Sequence, residues 1–139
     1  MKFEDFFKQG KARKTSRDVQ LVKSLLESSD NDLEFLKGLK IDGLSSRKIF
    51  SCYYDVLRSV LEAVSLLDGY KIYSHEAFTY YLAEKGEDEL SQKFDRFRKI
   101  RNRVNYYGKS ISVNEVKEYK REIIELVKRF KQIIQTKES

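Results

Sequence analysis

Between Lys93 and Arg103 the chain carries six basic side chains, Lys93, Arg96, Arg98, Lys99, Arg101 and Arg103, against the single acid Asp95. Cations at this density form either a solvated face or a grip on phosphate oxygens, which guanidinium groups bind in a fixed, forked geometry. The apolar residues among them separate two populations. Leu90, Phe94, Phe97, Ile100, Val104 and Tyr107 recur at spacings of three and four, which draws one core-facing stripe along a helix. On that helix Arg96, Lys99 and Arg103 point away from the stripe, whereas Arg98 and Arg101 edge toward it and Asn105 lies at its rim. A guanidinium on the core side needs a partner, because burying it alone costs several kcal/mol. Three partners are open to Arg101: a carboxylate such as Asp55, the last carbonyls of its own helix, or an anion held in a groove.

The elements that must position this segment follow from periodicity and caps. Residues 1–14 read as an arm, with Phe3, Phe6 and Phe7 spaced for a helical turn ahead of Lys11, Arg13 and Lys14; it packs on the bundle or a second subunit through the phenylalanines, or meets phosphates through the cations. Thr15 and Asp18 resemble a capping box opening a helix whose apolar face is Val19, Val22, Leu25 and Leu26. That helix is expected to break at Ser28-Ser29-Asp30, and Asn31 to Lys37 to form a short one ending at Gly38. Gly38 and Gly43 have phosphate-loop spacing, but no Lys-Ser/Thr pair follows and no strand precedes, so nucleotide cradling is excluded there.

Ser45 or Ser46 opens the most apolar helix, running to Asp68-Gly69 with Ile49, Cys52, Tyr53, Val56, Leu57, Val60, Leu61, Val64 and Leu67 on a broad face. Such a helix belongs at the centre. Cys52 reads as a small core filler, and Asp55, Arg58 and Glu62 as solvated ion pairs. After the loop Tyr70–Tyr73, Ser74 caps a helix through Phe78, Tyr81 and Leu82. His75 sits in its first turn, either as a structural group or as an acid/base, being the one side chain with an unperturbed pKa near neutrality. Glu87, Asp88 and Glu89 then favour the next helix start. Ser112 and Glu115 form a capping box for the last helix, and residues 136–139 read as a frayed tail. The expectation is an all-α, single antiparallel bundle of about five helices over residues 15–135.

Composition limits the chemistry. With one Cys and one His, neither a disulfide framework nor a Cys/His metal site is expected, and no cofactor is implied. No apolar run approaches a membrane span, and the Met1 end lacks a signal peptide's apolar core, so a cytoplasmic location without membrane contact is expected. The net charge of +6 favours acidic partners.

The run Arg101-Asn102-Arg103-Val104-Asn105-Tyr106-Tyr107, preceded by a long tyrosine-bearing helix, a Gly-Tyr-Lys loop and a Ser-His helix start, resembles the HEPN superfamily of small helical bundles. In that family an Arg, a polar residue and a His recur on the fourth helix, and two subunits bring them together to cut RNA without metal. Here Tyr106 occupies the His position, and a tyrosine near its reference pKa of about 10 is a poor general base at neutral pH. The resemblance implies a homodimer in which Arg98, Arg101, Asn102, Arg103, Asn105 and Tyr107 bind RNA or nucleotide phosphates. Arg101 and Tyr106 stand at the catalytic positions, with cleavage weak or lost. It also implies an alternative: a non-catalytic interaction module, such as the regulatory partner of a small nucleotidyltransferase in a toxin-antitoxin-like pair. In that case the surface would be built on Phe3, Phe6, Phe7 and Tyr107.

Overall fold

The computed structural model describes residues 1–138. It is a helical bundle made of α1 (Phe3–Lys8), β1 (Ala12–Lys14), α2 (Val19–Lys37), α3 (Ser46–Leu67), β2 (Tyr70–Ile72), α4 (His75–Glu84), α5 (Asp88–Tyr106) and α6 (Val113–Glu138). The all-α class follows from the sequence as read above. α3 is the axis. Every residue from Val60 to Leu67 is buried, Glu62 included, because α2 and α6 pack on it along its length while α5 and β2 close the remaining sides. A helix enclosed on all sides is apolar all round.

Three expectations give way to the structure. α2 runs unbroken through Ser28-Ser29-Asp30, because Ser29 is small enough to be buried at a helix contact and Asp30 pairs with Lys131 of α6. Its cap is Asp18, whose carboxylate accepts from Leu21 N at 3.0 Å, while Thr15 instead donates its N–H to Gly69 O at 2.9 Å. Val19, at the first helical position, is left 54% exposed. Residues 136–138 continue α6 where fraying was expected; Ser139 lies outside the described residues.

Residues 1–14 pack on the bundle through their phenylalanines, the first of the alternatives read for them, and are built into the fold. Phe3 and Phe6 are buried, with ring centroids 5.5 Å from Tyr81 and 5.3 Å from Tyr80 of α4. β1 then pairs antiparallel with β2, Ala12 opposite Ile72 and Lys14 opposite Tyr70. Gly69, with φ +89°, makes the turn into β2, a conformation that glycine adopts without penalty. The aromatic surface expected from Phe3, Phe6 and Phe7 therefore does not exist: two of the rings are core and Phe7 is half-buried.

The remaining caps form as read. Ser74 Oγ accepts from Ala77 N at 3.3 Å, and Ser112 and Glu115 exchange bonds of 3.0 and 3.1 Å. On α5, Leu90, Phe94, Phe97, Ile100 and Val104 are buried. Tyr107 is not; it lies one residue beyond the helix, with φ −112°, and is 75% exposed. The buried stripe ends at Val104, because the helix stops at Tyr106.

Candidate functional site

α3 and α5 run antiparallel where they meet, Ser51 opposite Asn105 and Tyr54 opposite Arg101, and the seam between them carries polar side chains from both. On α3 these are Arg47, Ser51, Asp55, Arg58 and Glu62, recurring every three or four residues, exposed or half-buried as far as Arg58 and buried at Glu62. On α5 they are Arg98, Arg101 and Asn105. A groove of about 320 Å³ opens between Arg47, Lys48, Ser51, Asp55, Arg101 and Asn105.

Arg101 forms the inner wall of this groove. Its guanidinium lies 5.6 Å from the ring centres of both Tyr54 and Tyr106, an arrangement in which the ring faces attract the cation. Nη1 reaches the Tyr106 hydroxyl at 3.4 Å, a long and weak bond. Nε is sealed from solvent and has no hydrogen-bond partner. No carboxylate pairs with Arg101 among the described residues. Asp55 shares the groove but makes no ion pair with it, so the carboxylate clamp open to it from the sequence is not made.

Its neighbours are differently placed. Arg98 donates to Asp95 Oδ1 through Nε at 2.8 Å and Nη2 at 2.7 Å, while Thr79 and Lys99 hold the same carboxylate. Burial pushes the Asp95 carboxyl up, but the bonds from Arg98, Thr79 and Lys99 outweigh it and hold the group below its ordinary value. Arg58 pairs with Glu62 at 3.2 Å, and Lys71 joins the same carboxylate from β2; Glu62 is 9% exposed, so these are half-buried pairs and not the solvated ones expected.

His75 stands on this seam. Its Nδ1 is 2.8 Å from the Tyr54 hydroxyl and the two rings stack at 5.6 Å, so Tyr54 links His75 to Arg101. Burial, followed by the charges of Arg58, Arg101 and Arg98, lowers the imidazole from 6.5 to about 4. It is neutral at pH 7, and in the Nε2-protonated tautomer its Nδ1 accepts the Tyr54 hydroxyl proton.

The residues expected to bind phosphate therefore separate. Arg101, Asn105 and Tyr106 come together, Asn105 accepting from Ser51 Oγ at 3.0 Å and Tyr106 lying 69% exposed over Arg101. Arg98 is next to them through the charge field on His75. Asn102 is half-buried and makes no side-chain hydrogen bond among the described residues. Arg103 lines a different depression with Lys109, Glu115 and Tyr119 on the α6 side, and Tyr107 projects past the helix end. Arg47, Lys48, Ser51 and Tyr54 escaped notice in the sequence, although the period of Arg47, Ser51, Asp55, Arg58 and Glu62 carried the signal: it is a polar stripe on the most apolar helix of the chain.

Fold and site define an all-α bundle with a cation-lined seam between its central helix and its most basic one. No known protein family, curated protein or solved structure gives a match to this chain. Among the described residues no helix is long and apolar enough to cross a membrane, and no cluster of His, Cys, Asp and Glu is placed to hold a metal.

Proposed function

We propose that this is a HEPN-like, RNA-associated protein that holds phosphate groups at Arg101, with metal-independent ribonuclease activity weak or lost. The observation that carries the reading is the state of Arg101: a half-buried guanidinium with a sealed, unpaired Nε, no carboxylate, and an open groove before it. A phosphate in the groove would lie against the guanidinium, neutralise its charge, and find Arg47 and Lys48 on the opposite wall, neither of which has an ion-pair partner among the described residues. Tyr106, at the position where the family carries His, is placed to pack a base or steady the guanidinium. His75, bonded to Tyr54 and lowered by burial and the nearby arginines to about 4, is a weak base, which supports weak or absent cleavage.

The test is binding and cleavage of a structured RNA by the native protein and by Arg101→Ala, in EDTA, with salt varied. The expected result is affinity that falls steeply with salt and drops at least tenfold in a folded Arg101→Ala, with little or no cleavage. A homodimer, expected on the same reading, is checked by sedimentation velocity. Absence of RNA binding at low salt would overturn the reading and leave the interaction module. Of the four aromatics on which that alternative was built, Phe3 and Phe6 lie in the core and Tyr107 is well exposed.

A further inference from the structure

The seam extends well beyond the Arg101 groove. Arg47 and Glu62 are separated by fifteen positions of α3, or roughly 22 Å at 1.5 Å per residue. Along that length Arg47, Lys48, Arg58, Lys71, Arg98 and Arg101 lie with the carboxylates Asp55, Glu62 and Asp95. Glu62 holds both Arg58 and Lys71, so that group retains a net positive charge, while Arg98 is matched by Asp95. The charges of Arg58, Arg101 and Arg98 all act on His75, which joins the groove to the Glu62 group and β2.

Each end of the track carries an exposed tyrosine beside a cation. At the groove end it is Tyr106 over Arg101. At the other it is Tyr73, 55% exposed, with Lys71 Nζ 6.0 Å from its ring centre and its hydroxyl held by Arg13 Nε at 2.6 Å. Lys71 continues the line through Glu62 to Arg58. A large aromatic side chain left in water, yet fixed by a hydrogen bond from a neighbouring strand, is a preformed stacking surface.

Resting on the reading above, we infer that the RNA is taken as a single strand laid along the α3–α5 seam, its phosphates on the cation track and its bases stacked at the two ends on Tyr106 and Tyr73. Two features select a single strand over a duplex. The stacking surfaces accept only bases that are already unstacked, which a duplex does not offer. Arg101 is recessed in a narrow groove, where one flexible backbone can bring a phosphate down to it while the outside of a rigid duplex stays above. Recognition of this kind is tolerant of sequence and sensitive to salt.

The experiment is fluorescence anisotropy at low salt with fluorescein-labelled oligouridylates of increasing length and with a blunt RNA hairpin, on the native protein, Tyr73→Ala, Tyr73→Phe and Tyr106→Ala. Both tyrosines are exposed, so circular dichroism should report unchanged folding. Affinity should rise with length and level off within roughly 4 to 16 nucleotides, the size range of comparable single-strand sites, and the hairpin should bind at least tenfold more weakly. Tyr73→Ala and Tyr106→Ala should each weaken the longer strands roughly 5- to 100-fold, the range of one base stack, and Tyr73→Phe should retain most of the affinity. A dinucleotide should respond to Tyr106→Ala alone. Equal binding of hairpin and strand, or no response of long strands to Tyr73→Ala, would overturn the inference while leaving phosphate binding at Arg101 in place. No binding of any RNA would remove both.

Discussion

Arg101 carries a buried donor without a partner and His75 a charge that burial disfavours, and both can be measured. A buried donor left without a partner costs about 1–3 kcal/mol, so Arg101→Met, which keeps the stem packed on Tyr54, should leave thermal stability equal or higher while abolishing RNA binding. A scaffold role would give the opposite stability change. His75 makes a pH prediction. Its folded-state pKa of about 4 lies below the unfolded value of 6.5, so the unfolded chain binds more protons between the two, and the stabilisation is whole above 6.5 and is lost as pH falls toward 4. The loss should be on the order of 2 kcal/mol, visible as a urea midpoint that falls below pH 6 and does so much less in His75→Asn. Proton NMR of this sole histidine should give a midpoint near 4, moving upward when phosphate neutralises the neighbouring arginines. The inward phase of Arg101 was legible because the residues around it keep strict helical spacing. Its lack of a carboxylate was not, since that depends on which turn of α3 lies alongside.

Helix starts were the most legible elements, because a cap is a local device: Ser74, Ser112 and Glu115 act within three or four residues of themselves. Helix interruptions were not. Ser28-Ser29-Asp30 carries every local sign of a break, yet α3 and α6 hold the segment helical by burying Ser29 and pairing Asp30, and tertiary packing outweighs propensities of a few tenths of a kcal/mol per residue. The Ser29 hydroxyl is buried without a partner. Ser29→Ala should therefore stabilise the protein by up to about 1 kcal/mol through better helix propensity and removal of an unsatisfied group, read as a rise of a few degrees in Tm. A fall in Tm would mean that the hydroxyl has a partner in solution. The α3 stripe was missed because its residues, read singly, look like an ordinary solvated edge; only the antiparallel placement of α5 makes them one wall of a groove.

For the molecule as a whole, the N-terminal segment is structure: its packing on the bundle was one of the alternatives read from the phenylalanines, whereas its pairing as a strand was not read, because three residues leave almost no periodic signal. Phe6, 1% exposed against α4, should cost about 3–5 kcal/mol when replaced by alanine, as a lowered urea midpoint with an unchanged slope. The same pairing also sets an order of events in time. Ala12 is matched with Ile72, and Phe3 and Phe6 with Tyr81 and Tyr80, so these residues meet their partners only after some sixty to eighty more have been synthesised. At roughly 5–20 residues per second this is a wait of several seconds. For that interval the nascent chain presents three unpartnered phenylalanines, a site for a holding chaperone or a neighbouring chain, and the fold can close only when α4 has emerged.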